Sequence, residues 1–478
     1  MSSRDQNQNK VADVVKVAGK TVASAGEVSA KAVKATLEAD KEGLEALGAV
    51  ADKATDVPPL RQVKKFWRGL GPGLTTGSAG DDPSGITTYS QTGAKYGFQL
   101  LWIAAFTFPL MSIVQEMCAR IGLQTGRGLA ANIRQYFPPW ILYIVVILVL
   151  AANSFNIGAN LGALAKAAQL LWPAGSFVIL VIFFTLLCLL LEIFISYEKY
   201  AKYLKYLALI LGVYVITALV IKNFPWYEVL RHAILPSLNF SKDQIILICG
   251  ILGTTISPYL FFWQTSQEVE EKKAGGQNLR EISVVASQKE IRKMRLDVWL
   301  GMLFSNLAMF FIIAVCGAVL FPAGITNINT AAEAAAALKP LAGNYASLLF
   351  ALGIFGVGLL GVPVLAGSAS YAVSESFGWK EGLNKKLSQA KAFYGVIIFS
   401  MLIGLAMNFI GLNPIKALIW AAIFNGLVAP VVLVLIVLLA SSRQVMGRWV
   451  NRPLTNILGW VVAGVMIVVG LATIYSFF

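Results

Sequence analysis

Asp81-Asp82-Pro83-Ser84-Gly85 interrupts a stretch that is otherwise apolar enough to cross a membrane. Gly71-Pro72-Gly73-Leu74-Thr75-Thr76-Gly77-Ser78-Ala79-Gly80 precedes it as one short helical half, and Ile86-Thr87-Thr88-Tyr89-Ser90-Gln91 opens a second. A carboxylate at membrane depth is costly unless solvated or paired, and unwound backbone is tolerated there only where it lines a cavity or is buried in protein. An acidic break inside a spanning segment therefore points to a cation site.

Outward from this break the chain reads as polytopic. Of its 478 residues, 57% are hydrophobic and 13% charged, a balance that excludes an ordinary soluble domain. Apolar runs able to cross roughly 30 Å of hydrocarbon lie near 70–93, 98–119, 139–164, 174–196, 203–221, 243–265, 297–321, 345–374, 392–411, 414–440 and 454–477, which makes 11 expected helices. The net charge of +14 would fit a nucleic-acid partner only if it were concentrated on one face. Instead the N-terminal tail carries 12 Lys and Arg, the connections on the same side 20 and those opposite 7. This is the positive-inside bias of a cell-membrane protein with a cytoplasmic N-terminus and an extracytoplasmic C-terminus. No nucleic-acid partner is expected. The four cysteines all fall in apolar runs without paired spacing and read as buried hydrophobes. The first 30 residues lack an apolar core and cleavage site, so no signal peptide is expected.

Residues 1–65 form an Ala-, Lys-, Glu- and Val-rich block, expected to be a cytoplasmic tail, helical or disordered. Lys64, Lys65, Trp67 and Arg68 follow as a basic and aromatic interfacial anchor. Segment six is also interrupted, at Gly253-Thr254-Thr255-Ile256-Ser257-Pro258, five crossings after the first break. Interrupted helices at matching places in successive five-helix units mark an inverted-repeat transporter whose site lies between the two breaks. The predicted repeats are 66–221 and 243–440, with 454–477 as an added eleventh helix. No Walker-type Gly-Lys-Ser, nucleophile elbow or His/Cys metal cluster occurs, so neither ATP-driven transport, an enzyme nor a resident cofactor is expected.

Gly71-Pro72-Gly73, the Asp82-Pro83 break, Gly93-Ala94-Lys95-Tyr96-Gly97 with Leu100-Leu101-Trp102, and Ala119-Arg120-Ile121-Gly122-Leu123-Gln124-Thr125-Gly126 resemble the start of the Nramp divalent-metal transporters. The resemblance continues through Trp226-Tyr227-Glu228-Val229-Leu230, Gly250-Ile251-Leu252-Gly253, Asp297, Asn306 and Pro430. It implies the leucine-transporter (LeuT-like) fold and transport of Mn²⁺ and Fe²⁺ with protons. This chain departs from the family where selectivity is set. Typical members read Asp-Pro-Gly-Asn in the first break and Met-Pro-His in the second, whereas this chain has Asp82-Pro83-Ser84-Gly85 and Ser257-Pro258-Tyr259. The soft thioether is gone, leaving a site of oxygens suited to hard ions. The pattern is therefore most similar to the Nramp-related magnesium transporter subgroup, which implies Mg²⁺ as transported ion with Mn²⁺ as a second cargo. The expected site is Asp82, Gly85, Thr254, Ser257 and Tyr259, contained in one chain with no oligomer required.

The family's third helix carries an acidic pair and its sixth two histidines. Those positions become Asn156 and Ala159, and Tyr259 and Gln264, none of which titrates near neutral pH. Uncoupled, facilitated transport is expected, with proton-coupled Mn²⁺/Fe²⁺ carriage as the alternative. Several readings compete with ligation. Asp82 could cap the second half-helix, and the hydroxyls of Thr254 and Ser257 could satisfy backbone carbonyls freed beside Pro258. Asp81 is expected to face away from Asp82, Glu116 to attract ions or pair with Arg120, and Glu192 and Glu375 to be structural; Asn425, a turn or so before Pro430, is a weaker candidate for facing the site than for packing away from it.

Overall fold

The computed structural model describes residues 71–195, 211–274 and 286–478. The tail, the anchor at 64–68 and the start of the fifth segment lie outside the described residues. Among the described residues of Gly71–Phe478 every regular element is a helix. The first segment is two helices, α1 (Pro72–Gly80) and α2 (Pro83–Tyr96). They are followed by α3 (Trp102–Thr125), the short α4 (Leu129–Tyr136), α5 (Pro139–Leu171), α6 (Phe177–Phe194), α7 (Gly212–Val220) and a second short helix, α8 (Trp226–Ile234). Segment six is α9 (Lys242–Thr255) and α10 (Pro258–Ala274), and α11 (Gln288–Val319) is segment seven. After short turns between 331 and 345 come α12 (Ala346–Phe377), α13 (Lys391–Met407), α14 (Pro414–Ser441) and α15 (Pro453–Ser476).

Eight of these spans are long and apolar enough to cross a bilayer. The other three expected crossings miss that criterion for visible reasons: segment one is split and polar, the described part of segment five holds an α-helix of only nine residues, and α13 is 17 residues long. Burial grades the spans. The apolar window of segment six is 83% buried within the protein, against 33% for α6 and for α15. The broken segment is central, while α6 and α15 turn side chains such as Phe183, Leu186, Val468 and Leu471 outward, as lipid contact requires.

Helices meet without a hydrophobic driving force in lipid, so close approach of small residues holds them together. A Cβ on Gly77 would collide with the backbone of Gly301, and one on Gly253 with the backbone of Ala422 and Gly426. The first half of each broken segment is thus laid directly on a neighbour, α1 on α11 and α9 on α14. One end of the bundle is basic and cross-tied: Lys272 Nζ donates to the Leu123 carbonyl at 3.1 Å, and Asp297 of α11 accepts from the N–H groups of Gly71 (2.8 Å) and Gly73 (2.7 Å). At the opposite end Lys95 pairs with Asp243 at 2.6 Å.

Candidate functional site

Both breaks are built the same way. Proline stands first in the second half-helix, where its missing N–H costs nothing, and it holds the preceding residue out of the helical region. Asp82 accordingly has ψ 171° before Pro83. Asp81 and Asp82 are the two residues between α1 and α2, as Ile256 and Ser257 are between α9 and α10. Each break strands carbonyls at one helix end and N–H groups at the next.

Asp82 divides its carboxylate between two tasks. Its Oδ1 accepts from the backbone N–H of Ser84 and of Gly85, both at 3.0 Å, and from the Ser84 hydroxyl at 2.5 Å. This is the capping role, fulfilled by one oxygen. Its Oδ2 points away from the cap and accepts from Asn156 Nδ2 at 3.1 Å and Asn160 Nδ2 at 2.9 Å, both on α5. Asp81 faces the other way, as expected, accepting from the Ser305 hydroxyl of α11 at 3.0 Å. Asp82 is 1% and Asp81 3% exposed. Among the described residues no lysine, arginine or histidine pairs with either.

The other expected residues surround this pair but are already engaged. The Ser257 hydroxyl lies between the carbonyls of Gly253 and Thr254, 2.9 Å from the latter. The competing reading of that hydroxyl, as a donor to freed backbone, is what the structure contains, and it also occupies the Thr254 carbonyl. The Thr254 and Tyr89 hydroxyls share a hydrogen bond of 3.0 Å, which joins α9 to α2. The Tyr259 hydroxyl donates to the Ala79 carbonyl at 3.0 Å, which joins α10 to the last turn of α1. Gly85 leaves room that Tyr89 fills, since a Cβ there would lie 3.5 Å from the Tyr89 hydroxyl. Thr254, Ser257 and Tyr259 are all buried, so the region is closed to solvent.

Asn160 was invisible to sequence reasoning, although its spacing from Asn156 puts both carboxamides on one helical face. Asn425 is fully buried on α14 with neither end of its carboxamide hydrogen-bonded. Glu116 corrects an expectation: it pairs with Arg295 of α11 (2.8 and 3.0 Å) and accepts from Trp299 Nε1 (3.0 Å), while Arg120 bonds the side chain of Asn451. Glu375 accepts from the Ser266 hydroxyl (2.7 Å) and from the Ala131 N–H (3.1 Å) at the start of α4, a structural anion at a helix N-terminus. Gln264, at a family histidine position, links the Thr76 hydroxyl to Glu268. Near the basic end, a cavity of about 430 Å³ is lined by Gly71, Glu268, Glu271, Lys272, Lys293 and Asp297, among others.

Such a centre sets two buried carboxylates among neutral oxygen and amide neighbours, an arrangement that attracts a cation. Among the described residues no three His, Cys, Asp or Glu side chains gather into a metal cluster, so an ion here would be held by few charges. Residues 73–476 match the family model described as natural resistance-associated macrophage protein-like (Nramp). The chain is 25% identical over 418 residues to a divalent metal cation transporter, MntH, of Caldanaerobacter subterraneus, covering 86% of this chain and 93% of that protein. It is 26% identical over 430 residues to the MntH of Clostridium acetobutylicum, covering 87% and 93%. The fold resembles the crystal structure of the Eremococcus coleocola manganese transporter in complex with an aromatic bis-isothiourea substituted compound (TM-score 0.65, 20% identity, 86% and 87% coverage). It also resembles MhsT in complex with L-phenylalanine (TM-score 0.55, 10% identity, 85% and 97% coverage).

Proposed function

The chain belongs to the natural resistance-associated macrophage protein-like family, and on that premise we propose that it is a divalent-cation carrier moving Mg²⁺, with Mn²⁺ as a second cargo, by facilitated alternating access without proton coupling. The observation that carries this reading is the pair of buried carboxylates, Asp81 and Asp82, held inside a membrane protein by neutral donors and with no counter-charge among the described residues. A buried anion left this way is strongly unfavourable, and a dication is its natural complement. The choice of ion rests on donor chemistry. Every side-chain atom turned to Asp82 is oxygen or amide nitrogen, and Mg²⁺ favours one or two carboxylates with several retained waters, whereas thioether or thiolate would favour softer metals.

The uncoupled cycle rests on the residues at the relay positions. Asn156 donates to Asp82, Tyr259 to a carbonyl, and Gln264 links the Thr76 hydroxyl to the carboxyl of Glu268. None exchanges a proton near neutral pH. The membrane potential then drives uptake, at roughly 2.3 kcal/mol per charge per 100 mV. In this reading the basic end faces the cytoplasm, residues 66–221 and 243–440 are inverted repeats moving about the two breaks, and one chain suffices. Proteoliposomes carrying a Mg²⁺ indicator and a pH dye decide between this cycle and proton-coupled Mn²⁺ or Fe²⁺ carriage. Mg²⁺ entry without acidification is expected, abolished in Asp82→Ala although that variant remains monodisperse. Mn²⁺-driven acidification with no Mg²⁺ entry would refute it.

A further inference from the structure

Asn156 and Asn160 hold more acceptor capacity than the closed structure uses. They stand at i and i+4 on α5, both fully buried, and each spends an Nδ2 N–H on Asp82 Oδ2. Their Oδ1 atoms are buried as well and have no hydrogen-bond partner. Two orphaned acceptors beside one carboxylate, deep in a membrane protein, call for an occupant.

We propose that Asn156 and Asn160 are cation ligands that work in two orientations. Without cargo, their N–H groups stand in for the missing positive charge at Asp82 Oδ2. With a divalent cation bound, both carboxamides turn about χ2 and present Oδ1 to the ion. This rests on the reading of Asp82 as the cation site and names the rest of its donor set.

The turn is about a terminal sp³–sp² torsion, which is broad and roughly two-fold, and it exchanges two ends of nearly equal size. After it, each Oδ1 stands where Nδ2 now is, 3.1 and 2.9 Å from Asp82 Oδ2. Neighbouring ligands in an octahedral shell with bonds of about 2.0–2.1 Å lie about 2.9 Å apart. Both separations therefore suit shell edges around Mg²⁺, while the longer bonds of Ca²⁺, about 2.3–2.6 Å, would force them wider. Asp82 Oδ1 need not leave the cap. The same device empties the site, because the amide N–H groups compete with the ion for Oδ2 and keep its affinity low enough for release.

The test uses the full-length protein in detergent at pH 8, titrated calorimetrically with Mg²⁺ alone and then Mn²⁺ alone, with size-exclusion profiles as the folding control. Asn156→Leu and Asn160→Leu remove donor and oxygen together and are expected to weaken Mg²⁺ binding about tenfold or more. Asn156→Asp and Asn160→Asp keep an oxygen but lose the N–H. As ligands they bind Mg²⁺ at least as tightly as the native chain. If the asparagines serve only as donors to Asp82, the Asp variants lose the donor, gain a like charge and bind as weakly as the Leu variants, which overturns the proposal. The positions are tested separately, so a folding failure at one leaves the other to decide. A folded native chain that binds neither ion refutes the site itself, an outcome distinct from a native chain that binds and Asp variants that do not.

Discussion

Asp297→Asn attacks the contact that docks α1 on α11. The Asp297 carboxylate accepts from the N–H groups of Gly71 and Gly73, two of the donors that the start of α1 cannot satisfy within its own helix. Hydrogen bonds to a charged group contribute about 1.5–3 kcal/mol, and a negative charge at a helix N-terminus about 0.3–1 kcal/mol. Asparagine keeps one acceptor oxygen but turns an NH₂ toward the second N–H, so one charged bond is lost and the dipole term with it. A cost of about 2 kcal/mol follows, while the glycine contacts with α11 remain. If α1 moves between docked and undocked states, that cost multiplies the undocked population about 30-fold. The reporter is Leu74→Cys, because Leu74 is buried on α1 and the four native cysteines are buried and quiet. Maleimide labelling of Cys at this position is expected to run about 30-fold faster in Asp297→Asn, in proportion to the open population. A rate within about threefold of the parent would show that this carboxylate does not hold α1 in place.

Three further outcomes are expected. Tyr259→Phe leaves the Ala79 carbonyl buried without its donor, a loss of about 1–3 kcal/mol to be read as a lower melting temperature in detergent; an unchanged melting point would mean that water replaces the phenol. Ser257→Met introduces a soft ligand beside the break, so competition assays should show Cd²⁺ and Mn²⁺ gaining on Mg²⁺, with some stability lost because Gly253 and Thr254 lose their shared donor. At Glu381, outside the spans, burial and then the Glu375 charge push the carboxyl above its ordinary range. The folded chain therefore keeps a proton there that the unfolded chain releases. Its contribution to stability is complete at acid pH and is lost as pH rises from the carboxylate range through the raised value. Glu381→Gln should flatten the decline of melting temperature with pH; an identical slope would contradict the burial argument.

The breaks were legible because proline and paired acids leave a one-dimensional mark: Pro83 and Pro258 each fix where a second half-helix starts. The membrane class was likewise legible from apolar run lengths, whereas the central place of segment six came only with its burial. What escaped was pairing between distant parts of the chain. Nothing local in the sequence distinguishes Arg120 from Arg295 as the partner of Glu116, and packing chose the residue 179 positions away. Asn160 escaped because a carboxamide among apolar neighbours carries no sign of what it faces. Cap and ligand looked like rival roles for Asp82 because sequence reasoning treats a carboxylate as one group, whereas its two oxygens have separate partners. The helices Leu129–Tyr136 and Trp226–Ile234 were missed because each is too short to carry a spanning signal.

The two tyrosine contacts act on different halves of the molecule. Tyr89 with Thr254 fastens α2 to α9, the halves leading away from the basic end, and Tyr259 with Ala79 fastens α10 to α1, the halves leading toward it. Each is a single hydrogen bond, with a net value of about 0.5–1.5 kcal/mol, weak enough to break thermally. For an ion to leak straight through, both must be open at once, and for independent latches that probability is the product of two small populations. In the proposed alternating-access cycle, protection from short-circuit would follow from the same modest bond being installed twice, once on each side of the breaks.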